Sequence, residues 1–510
     1  MNLNILTGLN EDISPASLAH RDGALAVCNN MRVDKDGLWS KITTSLQEAN
    51  DLSSVVADDN VTQTTANITS GLAPSGNITV SVHTETGSRM QSGLYFYITT
   101  LATSGSEGVA SKAVEHYVNR YFDGDDARAN DVPKIVTTSG NRVYRTKIIY
   151  AYKGAHLQKV QLNSPTEFFY VGSGTTVYDY LHDNELGYKY EGRGSVLDSE
   201  PDKIARFDGR IFAFYSGYAR WSSVGRPREF PQNHDITYHL NYSDSVWDSG
   251  TFKEGLSSTT GTQKIITFNP VLENGLQGET RMWLPELIDK TVTAALEFKG
   301  KLWVWTSDTV GYITQSDTGY RYIHLSEGFG AITGTVVEGG VYLFGADSNG
   351  AWVLDGQFPK KISDGIITPP TITVGNWVSA YEEYWFGSAS KQYVYNTRLG
   401  AITSVVQNVT PSQIFWVQFN DGQVKEKIKV TVLLKTGACT AIIYAGNYPT
   451  TSDCTASGSY ALNISTNKVK EMPINSSGRY IGISLSGSNY TLAGINVEPE
   501  IVNKHERNKR

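Results

Sequence analysis

The chain has 510 residues, and 51 Asp and Glu against 44 Lys and Arg give a net charge of −7 that argues against a large basic nucleic-acid surface. Aromatics reach 11% while charged residues stop at 19%, and 29 Tyr with 48 Gly exclude a disordered chain and point to an all-β protein with many turns. At ~150 residues per domain the length suggests about three domains. An acidic wall still allows DNA to pass, because it repels the phosphate backbone rather than holding it.

Cys28, Cys439 and Cys454 are too few for a disulfide scaffold and have no metal-ligand spacing. Cys439 and Cys454 could meet across a hairpin, but free thiols are the expectation. The start, Met1 to Asn4, has neither a basic nor an apolar leader segment, so no signal peptide is read there. No run approaches ~18 apolar residues, so no spanning helix and no membrane insertion by the chain itself are expected. Asn67-Ile68-Thr69 and Asn408-Val409-Thr410 then read as turns rather than glycosylation sites.

Residues 1–65 read as an N-terminal arm and first propeller strands. Gly8-Leu9-Asn10, Ser14-Pro15, Arg21-Asp22-Gly23 and Asp34-Lys35-Asp36-Gly37 punctuate it. Between them lie the apolar patch Ala24 to Cys28 and the segment Asn29 to Val33, with a strand at Leu38 to Ile42 following. Residues 66–134 change texture. Asn77 to Val82 and Gly93 to Thr100 alternate, and a turn at Ser104 to Gly108 follows, which resembles a small fibronectin III-like β-sandwich inserted into the larger domain.

Across residues 135–405 short aromatic strand pairs recur. They include Arg142 to Thr146, Glu167 to Val171, Ala294 to Trp305, Gly340 to Phe344, Ala351 to Gly356 and Tyr384 to Asn396. The clearest is Arg206 to Pro231, with turns at Asp208-Gly209 and Ser216-Gly217-Tyr218 and a two-proline exit that cannot stay in a sheet. Comparable strands return every ~40 to 50 residues, so the span is read as a β-propeller of about six blades. Residues 406–510 read as a C-terminal β-sandwich, with strands at Lys427 to Leu434, Ala441 to Tyr444, Arg479 to Leu485 and Tyr490 to Val497. The basic tail Lys504 to Arg510 reads as a solvated end, with a partner or DNA contact as the sharper alternative.

No catalytic, cofactor-binding or metal site is expected. The chain lacks GxSxG, HExxH, Walker-type and GxGxxG signals, and its nine His are scattered. Gly172-Ser173-Gly174 reads as a turn. Asp123-Gly124-Asp125-Asp126, with Asp131 beyond it, has carboxylates that suit Ca²⁺ but not the EF-hand order, so it reads as a solvated loop. Asp347-Ser348-Asn349-Gly350-Ala351-Trp352 is somewhat like a sialidase Asp-box turn, yet lacks its leading Ser or Thr. It reads as a blade hairpin with an inward Trp.

Four phrases in order resemble the tail nozzle (tail tubular or hub) proteins of short-tailed, podovirus-like phages and their packaged-DNA stabilisation relatives. They are Arg21 to Leu38 through Asn29-Asn30; Arg142 to Thr146; Thr176-Val177-Tyr178-Asp179 with Glu185-Leu186-Gly187; and Gly209 to Phe212 leading to Trp221-Ser222 and Pro227 to Pro231. Together they cover about residues 8 to 231, and Ser40-Lys41-Ile42 departs from the Arg-Pro/Gly-like turn often seen there. The resemblance implies a virion structural protein rather than an enzyme. It would form a homo-hexameric ring below portal and adaptor, extending the DNA ejection channel and carrying tail fibres or spikes. Two other readings remain: a glycan-binding or glycan-degrading tail component, and a non-viral cell-surface propeller, which the missing leader disfavours.

Overall fold

The computed structural model describes residues 2–3, 8–9, 24–25, 27–33, 38–43, 45–50, 52–56, 62–69, 77–84, 88–91, 93–103, 106–118, 131–138, 141–153, 158–164, 166–192, 197, 199–240, 262–274, 276, 278–317, 319–364, 367, 371–418, 428–463, 469–474 and 480–499. Among them the chain is almost wholly strand. The helical exceptions are Thr65–Thr69 and the 3₁₀ turns Asp183–Glu185 and Pro285–Leu287. No helix among the described residues is long and apolar enough to cross a membrane. Two compact units divide the chain: Met1–Leu52, Phe298–Ile313 and Ile323–Arg510 in the first, Ser53–Glu297 and Thr314–Tyr322 in the second.

The first unit contains blade-type sheets. Val337–Gly339, Tyr342–Asp347, Gly350–Leu354 and Pro359–Lys361 pair in chain order as an antiparallel meander, and Val374–Val378, Glu383–Gly387, Lys391–Asn396 and Ala401–Val406 do the same. Lys301–Trp305 pairs with Val310–Ser316, Trp305 opposite Val310. The strands beginning at Lys301, Tyr342 and Glu383 follow one another at about 40 residues, one blade period. Their aromatic residues supply the core: Trp303, Trp305, Phe344, Trp352, Tyr384 and Phe386 are wholly buried, and Trp305 stacks on Trp352 with ring centroids 5.5 Å apart.

The arm is woven into this unit. Val27–Asn29 lies between Ala401–Val406, to which it is parallel, and Ser412–Gln418, to which it is antiparallel. One sheet therefore continues from Val374–Val378 past the expected boundary at 405 to the two long strands Ile428–Gly446 and Tyr480–Pro499. The expected C-terminal strand pairs are corrected here: Lys427 to Leu434 and Ala441 to Tyr444 belong to one strand, as do Arg479 to Leu485 and Tyr490 to Val497, apart from the outermost residues Lys427 and Arg479. Their apparent breaks are register shifts at Leu433/Leu434, Leu434/Thr436 and Ala438/Thr440. A bulge bends a strand and spares its pairing, while in sequence it looks like a turn.

The second unit holds a β-sandwich and a further blade. Gly93–Thr100 is buried along its whole length. Leu94, Phe96 and Ile98 face a cluster with Tyr144, Phe168 and Tyr238. Tyr95 and Tyr97 face Ile78, Ile135 and Val177 of a three-stranded sheet, Thr176–Tyr178, Asp131–Thr137 and Ile78–Thr84. Sheet pairing does not break at the expected boundary of 134. Arg142–Thr146 pairs with Gly93–Thr100, Tyr97 opposite Arg145, and then with Phe168–Ser173. Alternation shows which residues point inward but not which strand lies alongside. The blade is Lys203–Phe207, Arg210–Tyr215, Tyr218–Trp221 and Arg281–Trp283. Asp208 (φ 52°) and Gly209 (φ 69°) make its first turn, both left-handed as a type I′ hairpin demands. Between its third and fourth strands the chain leaves to lay the hairpin His234–Leu240 and Thr262–Phe268 beside Ala113–Val118. The fold is all-β and propeller-like.

Candidate functional site

The phrases singled out in the sequence become buried polar ties. In the second unit Arg145 and Asp179 are both wholly buried, and Arg145 Nε donates to Asp179 Oδ2 at 2.7 Å. The other Arg145 nitrogens donate to Asp183 Oδ1 (2.6 Å), the Leu181 carbonyl (2.7 Å) and the Thr146 carbonyl (3.0 Å). Tyr97 donates its hydroxyl to Asp179 Oδ2 at 2.8 Å, and burial together with that carboxylate keeps the phenol well above its ordinary pKa. The phrases around Arg142 and Thr176 are thus two sides of one knot.

The hairpin phrase is tied similarly. Glu229 is wholly buried, accepting from Ser223 Oγ and from Arg226 Nη1, each at 3.0 Å. Arg220 Nη2 donates to the Phe230 carbonyl at 2.7 Å, so the two-proline exit is strapped back onto the strand it leaves. Ser222 Oγ accepts from the Ile211 amide at 2.9 Å.

In the first unit Asn30, left-handed at φ 55°, donates Nδ2 to the carbonyls of Val406 (3.0 Å) and Val409 (2.5 Å) and accepts from the Val406 amide at 2.8 Å. Asn is among the few non-glycine residues that tolerate this backbone region. Arg32 grips Glu383 with two bonds of 2.7 Å, lies 3.6 Å above the Tyr381 ring, and leaves Glu383 Oε2 to accept also from Trp385 Nε1 at 3.1 Å. Beside this pair a cleft of about 350 Å³ is lined by Arg32, Lys41, Tyr381, Glu383, Asn396 and Arg398. Arg398 is itself held by Glu382 through two bonds of 2.6 Å, so two of the three cations already have carboxylate partners.

The remaining candidates are placed as follows. Asp347 pairs with Lys361 and accepts from the Asn349 amide at 2.7 Å, while wholly buried Trp352 donates to the Gly330 carbonyl at 2.8 Å. The Asp-box-like turn is therefore a blade hairpin. Gly174 (φ 125°) turns the chain between Phe168–Ser173 and Thr176–Tyr178. Cys28, Cys439 and Cys454 are free thiols, and burial pushes Cys439 up to about 11. Asp123 to Asp126 and Lys504 to Arg510 lie outside the described residues, as do Arg21 to Gly23 of the arm. Among the described residues no group of His, Cys, Asp and Glu is arranged to hold a metal ion.

The sequence did not reveal a second cleft in the first unit, about 260 Å³, between Tyr342, Phe358 and Tyr395. Tyr342 and Phe358 belong to one blade and Tyr395 to the next, so the three rings meet only where the two sheets pack. The available signal was an aromatic opening the strand Tyr342–Asp347, one just before Pro359–Lys361 and one late in Lys391–Asn396.

No family model matches the chain, and no curated protein matches it. Among solved structures, apo AztD from Citrobacter koseri is similar over 77% of this chain and 99% of its own, at 12% identity and TM-score 0.24. The extracellular domain of a hybrid two component system from B. thetaiotaomicron covers 75% of this chain and 47% of its own, at 9% identity and TM-score 0.23. A glycoside hydrolase family 43 arabinoxylan arabinofuranohydrolase from Bacillus subtilis covers 77% and 96%, at 10% identity and TM-score 0.17. At such TM-scores these likenesses decide nothing about function.

Proposed function

We propose that this chain is a structural virion protein, the tail nozzle of a short-tailed phage. Six copies close head-to-tail into a ring below portal and adaptor, extend the DNA ejection channel and carry fibres or spikes. The observation that supports this most is the fate of the four resembling phrases. Each becomes a buried polar tie within its unit, and one of them, Asn30 to Val406, joins residues 376 apart in sequence. Four buried carboxylates are spent likewise: Asp179, Glu229, Asp347 and Glu383 each face a cation. A carboxylate held in an ion pair is poorly placed to move protons, whereas the same pair fixes the packing of a stiff wall. A ring with heterologous interfaces closes by rotation and needs such stiffness to keep its closure angle.

Quantitative mass spectrometry of purified particles, scaled to the major capsid protein, tests the reading. About six copies per particle are expected for one closed ring. A multiple of three well above six favours a spike or fibre, and absence from the particle removes the virion assignment.

A further inference from the structure

The second cleft presents open aromatic rings on a fixed backing. Tyr342 and Phe358 remain 40% and 45% exposed at its mouth, although each ring is firmly backed. Tyr342 meets Phe344 edge-on at 6.2 Å, and Phe344 stacks on Trp377 at 5.3 Å and on Tyr384 at 5.2 Å. Phe358 stands perpendicular to Phe329 at 5.5 Å. Large rings held in place and left open to water present a fixed apolar face at little entropic cost on binding.

Polar groups around these rings are left without work inside the protein. Among the described residues, the Tyr342 and Tyr395 hydroxyls and the Lys360 amine have no hydrogen-bond partner. Asp355 uses Oδ1 to accept from the Gln357 amide at 3.0 Å and keeps Oδ2 open. Its turn is braced from below by Lys299 Nζ on the Asp355 carbonyl at 2.6 Å and Lys301 Nζ on the Gly356 carbonyl at 3.3 Å. Burial, and then the neighbouring Tyr342, raise the Tyr395 pKa further above its ordinary value.

We propose that this cleft binds one pyranose residue of a neutral hexose glycan. A pyranose carries an apolar C–H face that lies on an aromatic ring and a rim of hydroxyls that both donate and accept. Tyr342 and Phe358 supply the platform; Asp355 accepts, Lys360 donates, and the two phenols do either. Among the lining residues one carboxylate, Asp355, balances one ammonium, Lys360. Lys299 and Lys301 spend their ammonium groups on the carbonyls of the turn, so no cluster of free donors is left for an anionic sugar or a phosphate. The volume suits a single sugar rather than a long groove, since drug-sized sites run to about 300–1,000 Å³. The inference goes beyond the nozzle reading and does not depend on it, because it is measured on purified protein rather than on particles.

Saturation-transfer difference NMR of the full chain with the methyl glycosides of glucose, galactose, mannose and N-acetylglucosamine tests it. Transfer to at least one is expected, strongest on ring C–H protons, and about tenfold weaker in Tyr342→Ala and in Phe358→Ala, the loss of one aromatic contact. Tyr342→Phe keeps the platform and separates the hydroxyl from the ring. Tyr448→Ala, at a tyrosine 67% exposed and outside the cleft, should change nothing. No transfer to any of the four glycosides overturns the proposal, as does equal transfer in wild type and both alanine variants. Stronger binding of methyl glucuronide than of methyl glucoside overturns the choice of a neutral sugar.

Discussion

Arg145 spends its guanidinium on Asp179, Asp183 and two carbonyls without any exposure to solvent. Desolvation of both ions opposes this arrangement, and only the completeness of the hydrogen bonding offsets it. Arg145→Met should therefore lower stability by ~3–5 kcal/mol in urea unfolding, because Asp179 is left charged and buried. Adding Asp179→Leu should recover part of that loss; a double variant as unstable as the two single effects summed would show the pair to be uncoupled. His234 makes a different prediction. Burial lowers its pKa from the ordinary 6.5, against the raising effects of the Gln232 carbonyl and Asp235. The unfolded chain then binds the proton more readily, so His234 contributes stability that is full above about pH 6.5 and is lost as pH falls towards the lower folded value. Between about pH 7.5 and 5.5 the urea midpoint of the wild type should fall further than that of His234→Gln. Equal falls would place the acid sensitivity elsewhere.

At the scale of elements, what was legible depended on how local the signal was. The turns at Asp208-Gly209 and Ser216-Gly217-Tyr218 were legible from their residue types, and the second marked the hairpin of Arg210–Tyr215 with Tyr218–Trp221, whereas the strand Lys203–Phe207, with Phe207 opposite Arg210, was not. The strand content and the inward Trp352 were readable for the same reason. Partnership was not: nothing in Arg142 to Thr146 says that its neighbour is Gly93–Thr100, and nothing in Val27–Asn29 says that it is inserted beside Ala401–Val406. The site suffered similarly, since Tyr342 and Phe358 meet Tyr395 only where two sheets pack. The long C-terminal strands show how a turn signal misleads. Gly437 has φ 77°, and a Cβ there would lie 2.2 Å from the Asn489 carbonyl oxygen. Glycine is needed for a bulge within a strand rather than for a break between two. Gly437→Ala should cost about 2 kcal/mol and more if the opposite strand cannot yield. Hydrogen exchange should then quicken in Ile428–Gly446 and Tyr480–Pro499 but not in the Arg210–Tyr215 blade. Unchanged exchange in the long pair would mean that the kink is not held by this glycine.

Across the whole chain the charge balance is what bears on the proposed channel. An excess of seven acidic groups per copy is small, yet in a ring every copy adds to the same field. A wall that bound phosphates would hold the polymer it has to release, and each Lys or Arg engaged would add to a steep dependence on salt. At physiological ionic strength the screening length is about 8 Å, so only charges near the lumen would be felt by DNA moving along the axis. Purified, assembled protein should therefore fail to retain duplex DNA in a filter assay at physiological salt. Weak retention that vanishes between about 50 and 200 mM salt would still fit a few scattered basic contacts. Retention that persists at physiological salt with a Kd below about 1 µM is tighter than non-specific binding ordinarily reaches, and would require a basic face that the charge balance does not suggest. That outcome would turn the reading from a channel that DNA slides through to a protein that holds DNA in place.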